Sequence, residues 1–124
     1  MIYADTDFFI ALAKENDWLK DRALTILKQY RGKIITSTVT IIELLLISKR
    51  FSIDQEELIS AVYQIVTAVE GINEATALAA AHLIKEDGFH VFDALHAAYC
   101  GTNSIISSDH IFESVGLERI RLEK

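Results

Sequence analysis

The order of apolar and polar positions along the chain predicts short strands that alternate with helices. Short apolar runs are typical of buried strands, whereas apolar residues that recur every three or four positions are typical of helices. Strands are predicted at Ile2–Ala4, Lys33–Thr36, Asn103–Ser107 and Leu117–Leu122, with a very short strand at Ile72. Helices are predicted over Asp7–Lys14, Trp18–Tyr30, Val39–Arg50, Gln55–Glu70, Glu74–Asp87, Val91–Cys100 and Asp109–Val115. Because strands separated by helices pair in parallel, we expect an α/β fold with a parallel sheet of about four or five strands.

The composition fits one domain that spans residues 1–124 and leaves some apolar surface for a partner. The chain is 51% hydrophobic and has a mean hydropathy of +0.25, which is high for a small domain. The apolar stripe of the predicted helix Gln55–Glu70 is wide enough to contact two neighbours, one of which could be another subunit. The most apolar run, Ile41–Ile47, is far too short to span a bilayer, so we expect no membrane association.

Charge and cysteine content narrow the classes of function. The net charge of −6 argues against nucleic-acid binding through a broad basic face, although an enzyme that binds phosphates through metal ions remains compatible with it. The single cysteine, Cys100, excludes an internal disulfide and is typical of a cytoplasmic protein. Met1 leads directly into the first strand without a basic segment, so no secretory signal peptide is expected.

Two acidic residues lie in segments that are otherwise apolar. Glu43 follows Thr-Ile-Ile and precedes Leu-Leu-Leu-Ile, and Asp93 lies in Val-Phe-Asp-Ala-Leu-His-Ala-Ala. An unpaired buried carboxylate costs several kcal/mol, and aspartate is a poor residue for the middle of a helix. Something in the folded protein is therefore expected to compensate these two charges.

Two other acidic residues each follow a predicted strand and precede a short helix. Asp5 ends the run Ile-Tyr-Ala-Asp, and Asp109 ends Ile-Ile-Ser-Ser-Asp. Parallel strands bring both residues to the same edge of the sheet, where open α/β folds bind their ligands. The segment at residues 36–38 also ends a strand at this edge, which brings the start of the Glu43 helix close.

Four converging carboxylates predict a metal site. A like-charged pair separated by 4 Å costs roughly 4 kcal/mol at an effective dielectric constant of 20, and a divalent cation removes this repulsion. A set of oxygen ligands without a cysteine or histidine cage favours Mg²⁺ or Mn²⁺ over Zn²⁺. The sequence thus predicts a magnesium or manganese site formed by Asp5, Glu43, Asp93 and Asp109.

Each of these residues also has a simpler interpretation when it is taken alone. Asp5 and Asp109 could be helix N-caps, and Glu43 could lie on an exposed side of its helix. Asp93 could pair with His96, one turn further on, or with a basic residue such as Lys85. The metal site is favoured because four independent coincidences would otherwise have to meet at one sheet edge or on an apolar helix.

Several neighbouring residues could support such a site. The hydroxyl groups of Ser107 and Thr6 could orient ligands or water, although hydrogen bonding within a turn explains them equally well. Asp7 could be a further ligand or only a favourable charge at a helix N-terminus. His96 could contact a ligand from behind, and a core histidine is an equally good interpretation.

Four segments of the chain together resemble the acidic motifs of PIN domains, the ribonuclease domains of VapC-like toxins. These segments are Asp5-Thr6-Asp7, Thr38-Val39-Thr40-Ile41-Ile42-Glu43-Leu44, Phe92-Asp93-Ala94-Leu95-His96-Ala97-Ala98 and Ile106-Ser107-Ser108-Asp109-His110-Ile111-Phe112. They occur in the family's order, and the resemblance extends over the whole chain. It implies a three-layer α/β/α sandwich, cleavage of RNA that depends on Mg²⁺ or Mn²⁺, a homodimer and an antitoxin protein as partner.

The resemblance also implies roles for individual residues. Asp5, Glu43, Asp93 and Asp109 match the acidic set of the family, and Ser107 matches the hydroxyl position before the last acid. Two positions depart from the usual pattern. Asp7 stands where the family usually has asparagine or serine, and Ile111 stands where many relatives have a further acid, which leaves one or two metal ions open.

Two other functions are compatible with the sequence. Asp5-Thr6-Asp7 after a first strand also suits the aspartyl nucleophile of a phosphatase that resembles haloacid dehalogenases, although Glu43 and Asp93 then have no role. Alternatively, the chain could be a non-catalytic binding module that keeps the fold and uses the apolar helices in residues 37–70 to hold a protein partner.

Overall fold

A five-stranded parallel sheet organises residues 1–123, which are the residues that the computed structural model describes. The strands are β1 (Ile2–Ala4), β2 (Ile34–Ser37), β3 (Ala68–Glu70), β4 (Ser104–Ser107) and β5 (Arg119–Arg121), in the spatial order β3-β2-β1-β4-β5. The α-helices are α1 (Thr6–Ala13), α2 (Lys20–Gln29), α3 (Thr38–Ile47), α4 (Gln55–Ile65), α5 (Glu74–Asp87) and α6 (Val91–Cys100). Two 3-10 segments, Ser48–Phe51 and His110–Val115, follow α3 and β4. The predicted α/β class and the parallel sheet are confirmed.

Alternation of side chains along the strands places a hydrophobic core on each face of the sheet. Ala4 of β1 packs in a core with α1, α2 and α4, whereas the preceding residue, Tyr3, lies in a second core with α5 and α6. Ile106 and Ile105 of β4 divide between the same two cores. Successive strand residues point to opposite faces, so an apolar strand needs helices on both sides. The three-layer α/β/α sandwich follows from this requirement.

The prediction of one helix over Gln55–Glu70 was wrong in its second half. Helix α4 ends at Ile65, and Ala68–Glu70 instead forms β3, which pairs with β2 through Ile35↔Ala68 and Thr36↔Val69. The Thr67 backbone N–H donates to the Ile34 carbonyl at 2.9 Å and begins this pairing. Apolar residues at helical spacing are also compatible with a strand at the edge of a sheet, and the open edge of β2 decided the outcome. The very short strand predicted at Ile72 is absent from the described residues, since β3 takes its place.

Several large apolar side chains remain exposed on the outer helices. Ile42, Leu45 and Leu46 of α3 are each about half exposed or more, and Tyr63 of α4 is 56% exposed. Such a group of exposed apolar residues agrees with the expectation of a surface left for a partner. Within residues 1–123, no helix is both long enough and apolar enough to cross a membrane.

Candidate active site

The carboxyl-terminal edge of the central strands gathers the predicted acidic residues. Asp5 directly follows β1, and its backbone N–H donates to the Ile106 carbonyl of β4 at 3.0 Å, which extends the β1–β4 pairing by one step. Ala4 is in register with Ile106, so Asp5 and Ser107 lie side by side. Glu43 arrives from α3, which starts directly after β2, and Asp93 lies in the first turn of α6.

A cleft of about 290 Å³ opens at this edge. Among the described residues, five carboxylate side chains line it, and no lysine or arginine does. The structure therefore places all four predicted acids, together with Asp7 and Thr6, around one space. The lining residues are Asp5, Thr6, Asp7, Ile10, Glu43, Ile47, Phe51, Asp93, Ser108 and Asp109.

Asp5 is held from two sides and is only 8% exposed. Its Oδ1 accepts a hydrogen bond from the Thr6 backbone N–H at 2.7 Å, which makes it the N-cap of α1. Its Oδ2 accepts from the Ser107 hydroxyl at 2.8 Å. Burial raises the pKa of the Asp5 carboxyl, and the charge of Glu43 adds to this, while His96 and the two hydrogen bonds oppose it. Ser107 thus lies behind the cleft and orients Asp5, so the cap and the cleft-lining carboxylate are the same group.

Glu43 is anchored by Thr6 and by a histidine whose role the sequence left open. The Thr6 hydroxyl donates to Glu43 Oε1 at 2.7 Å, and His96 Nε2 also bonds this oxygen. Burial alone would raise the pKa of Glu43, but the bonds from His96 and Thr6 outweigh it and lower the pKa. Glu43 is therefore paired within the cleft instead of lying on an exposed side of α3.

His96 is 1% exposed and connects the cleft to the interior of the sheet. Its Nε2 also lies 3.3 Å from Asp5 Oδ1, and its Nδ1 lies 2.7 Å from the Tyr3 hydroxyl. The Tyr3 hydroxyl in turn lies 2.7 Å from the Ser37 hydroxyl. Burial would lower the pKa of His96, but the carboxylates of Asp5 and Glu43 outweigh it and raise the pKa. Sequence reasoning missed Tyr3 and Ser37, because nothing local marks a strand tyrosine as a partner of a distant histidine.

Asp93 and Asp109 both line the cleft, and no described lysine or arginine lines it with them. Asp93 forms no hydrogen bond or ion pair with any described residue, so the alternative pairings with His96 and Lys85 are not formed. Burial raises the pKa of Asp93, and the charges of Asp109 and Asp5 raise it further. Asp109 Oδ1 accepts from the Ile111 backbone N–H at 3.0 Å, so it caps the 3-10 segment as well as lining the cleft.

The donor chemistry of the cleft fits a hard divalent cation. Ligand atoms of Asp5, Glu43 and His96 lie within 4.8 Å of one another. The His96 nitrogen in this group is already hydrogen bonded to Glu43, so the free donors of the cleft are carboxylate oxygens. Mg²⁺ and Mn²⁺ prefer such oxygens. The raised pKa values of Asp5 and Asp93 indicate charge that no described side chain fully compensates.

Known structures share the fold of this chain. VapC20 of Mycobacterium tuberculosis, a toxin that cleaves the sarcin-ricin loop, matches with a TM-score of 0.79 and 21% identity over 98% of this chain and 99% of that one. A toxin–antitoxin complex from Klebsiella pneumoniae matches with a TM-score of 0.78 and 16% identity over 100% and 99%. FitAcB from Neisseria gonorrhoeae matches with a TM-score of 0.78 and 17% identity over 98% of both chains. These identities establish a common fold.

The sequence comparisons identify a family but no individual relative. No curated protein sequence matches the chain. The sequence model of the PIN domain matches residues 2–117, which include every acidic residue of the cleft. The predicted resemblance is thereby confirmed, and the chain belongs to the PIN domain family.

Proposed function

We propose that this chain is a metal-dependent endoribonuclease that hydrolyses RNA phosphodiester bonds, and that it is the toxin of a toxin–antitoxin pair. The observation that carries the proposal is the cleft with five carboxylates and no lysine or arginine among its described lining residues. Membership of the PIN domain family supports it, as does the fold shared with a toxin that cleaves the sarcin-ricin loop. Acidic side chains suit a phosphodiester substrate only where a cation reverses the local charge.

In the proposed mechanism, Asp5, Asp93 and Asp109 would hold Mg²⁺ or Mn²⁺, and Glu43 would bind either the ion or the attacking water. When bound, such an ion lowers the pKa of a water molecule and polarises the scissile phosphate. Ser107 and the Thr6 backbone fix the two oxygens of Asp5, so this carboxylate keeps one orientation in the cleft. Preorganised side chains of this kind reduce the free-energy cost of reaching the reactive arrangement.

Glu43 is the group we assign to the attacking water. Thr6 and His96 hold its Oε1, and no described residue donates a hydrogen bond to its Oε2. The lowered pKa keeps Glu43 ionised, so Oε2 can accept a proton or a hydrogen bond from water. His96 is a positioning residue here, because it contacts the carboxylates and is fixed from behind by Tyr3.

The phosphatase alternative has little support from the geometry. A phosphatase of this kind would use the Asp5 carboxylate as its nucleophile. Glu43 and Asp93 also line the same cleft, and a phosphatase that used Asp5 would leave them without a role. The non-catalytic binding module remains the alternative that an experiment must separate from the nuclease.

The proposed partners are an antitoxin and a second copy of the chain. Structural relatives were solved as toxin–antitoxin complexes, including VapBC-1 of nontypeable Haemophilus influenzae. An apolar groove of about 230 Å³ between α1, α2 and α4 supports a protein partner, and residues such as Phe9, Leu27 and Leu58 line it. The exposed apolar side chains Leu45 and Leu46 of α3 support a homodimer.

The decisive experiment measures cleavage of an unstructured RNA in Mn²⁺, with and without EDTA. We expect cleavage by the wild type, loss of cleavage in EDTA, and a loss of about 100-fold or more in Asp5→Asn. Glu118→Gln is the matched control and should retain activity. It removes one exposed charge just before β5, at the amino-terminal end of that strand and so away from the carboxyl ends that form the cleft. Equal activity of wild type and Asp5→Asn would refute the nuclease, and inactive wild type without Mn²⁺ binding in calorimetry would favour the binding module.

A further inference from the structure

We infer that Asp7 is an additional ligand of the divalent cation and that it binds the ion through its Oδ1 atom. The inference rests on the proposed metal-dependent function and assigns a residue to the cation beyond the four acids named above. Asp7 lies in the first turn of α1 and lines the acidic cleft. Its Oδ1 is buried and has no hydrogen-bond partner among the described residues.

The two oxygens of Asp7 differ in their surroundings. Oδ2 accepts hydrogen bonds from the backbone N–H and the hydroxyl of Ser108, which ties α1 to the turn that carries Asp109. A structural role for Asp7 therefore uses Oδ2 alone. Buried carboxylate oxygens are almost always hydrogen bonded, so the unpaired Oδ1 among the described residues requires an explanation.

A charge at this position is unfavourable unless a cation is present. The Oδ1 atom of Asp7 is buried, the Asp5 carboxylate lines the same cleft, and no described lysine or arginine lines it. Asparagine has the same shape and would accept the Ser108 hydrogen bonds through its carbonyl oxygen without adding a negative charge. The contact with Ser108 thus explains a polar residue at position 7, whereas a carboxylate there is explained by an ion that binds the free oxygen.

A favourable interaction with the helix macrodipole is too small to account for the carboxylate. An acidic residue in the first turn gains about 0.3–1 kcal/mol from the helix, and this value applies to exposed positions. Asp7 also shares the cleft with the Asp5 carboxylate, and two like charges in one site repel each other. The cation therefore remains the interaction that compensates both carboxylates at once.

The test is Mn²⁺ binding, measured by isothermal titration calorimetry on the wild type and on Asp7→Asn. Asp7→Asn retains the shape and the Ser108 contact and removes the anionic ligand, so we expect Mn²⁺ affinity to fall about tenfold or more. Glu118→Gln is the charge-matched control and should bind as the wild type does. The melting temperature of each variant in EDTA verifies that it is folded.

A second variant separates ligation from positioning. Ser108→Ala removes the hydroxyl donor to Oδ2 and leaves Oδ1 intact, so Mn²⁺ affinity should change by less than about threefold. If Ser108→Ala weakens binding as much as Asp7→Asn does, positioning explains Asp7 and the inference is wrong. Mn²⁺ affinity of Asp7→Asn within about twofold of the wild type would also overturn it.

The same titrations distinguish failure of this inference from failure of the proposed function. If Asp5→Asn loses Mn²⁺ binding while Asp7→Asn keeps it, the metal-dependent nuclease stands and only the role of Asp7 falls. If the wild type binds no Mn²⁺, both the metal dependence and the role of Asp7 are refuted.

Discussion

Two regions of the protein each contain two or more carboxylates, and only one of these regions pairs them with an arginine among the described residues. In the arginine cluster, formed by His110, Glu113, Arg119 and Glu123, the Arg119 guanidinium lies between two glutamates, with Nε 2.9 Å from Glu113 Oε1 and Nη1 2.6 Å from Glu123 Oε1. Its Nη1 also donates to the Ser107 carbonyl at 2.9 Å, which anchors the end of β4. In the acidic cleft, five carboxylates share one histidine among the described residues.

The two regions consequently differ in the pKa values of their carboxyl groups. The Arg119 hydrogen bonds lower the pKa of Glu123 to about 2, whereas burial and repulsion raise the pKa values of Asp5, Asp7 and Asp93. Arg119 thus compensates the glutamates of the arginine cluster, whereas no described lysine or arginine lines the acidic cleft. Perturbed acids in a cleft are typical of functional sites, where stability is given up for chemistry.

The largest effect is expected when the compensation in the arginine cluster is removed. Arg119→Met removes both hydrogen bonds of the guanidinium to Glu123 and its bond to the Ser107 carbonyl, which keeps only the Leu122 backbone N–H at 3.3 Å. The free energy of unfolding should therefore fall by about 2 kcal/mol. The Arg119 side chain is 1% exposed, which limits screening by solvent. Urea denaturation measures the loss, and Mn²⁺ should not restore it.

Lys28→Met is the control for removing a cation, because Lys28 is exposed in the last turn of α2. Its effect should stay within about 0.5 kcal/mol. Wild-type stability of Arg119→Met would mean that the two regions do not differ in the way described above.

The pH dependence of stability in EDTA should have opposite signs in the two regions. Asp7 has a pKa of about 7 in the folded protein and an ordinary value of 3.8, so the folded state binds more protons between these limits. Its contribution to stability therefore rises, by about 2 kcal/mol, as pH falls from 7 to 5. Glu123 has a depressed pKa, so its contribution is present above pH 4.5 and is lost as pH falls towards 2.

Melting temperatures recorded from pH 2 to pH 8 test both signs at once. Asp7→Asn should be more stable than the wild type at pH 7, and this difference should shrink as the solution is acidified. A constant difference across the range would show that Asp7 does not titrate in the folded protein.

The smallest effect is expected for Asp93→Asn in EDTA. Asp93 is partly exposed and has no ion-pair partner among the described residues, so removing its charge relieves repulsion from Asp109 and Asp5. The melting temperature should rise by about 2 °C, because solvent screens much of the repulsion. In Mn²⁺ the wild type should have the higher melting temperature of the two, and Glu118→Gln should leave the melting temperature unchanged. A clear fall in melting temperature would indicate that Asp93 has a structural partner.

Much of the candidate site could be predicted because each acid has a local signature in the sequence. Asp5 and Asp109 follow strand-like runs, and Glu43 and Asp93 interrupt apolar helices. Parallel strands share an edge for their carboxyl ends, so these signatures predict one cleft without any knowledge of the sheet order. The bounds of α5 and α6 also agree with the prediction. Neither segment pairs with a strand of the sheet, so the helical spacing of its apolar residues decides its structure.

The remaining features depend on contacts between residues far apart in the sequence. The residues of β3 carry a helix-like pattern, and only the open edge of β2 draws them into the sheet. Tyr3 and His96 are separated by 93 positions, and the pleat of β1 brings them together behind Glu43. No local pattern could have shown that one oxygen of Asp7 binds Ser108 while the other stays free.

The sequence by itself determined the fold class and indicated the four acids, because hydrophobic periodicity and an acid within an apolar run are properties of short segments. The family followed from the resemblance of four segments to its motifs. The tertiary structure decided the strand order, the histidine and tyrosine behind the cleft, and the absence of lysine and arginine from its described lining. The physical reason is that compensation of charge depends on distances in space, and strand pairing sets those distances independently of position along the chain.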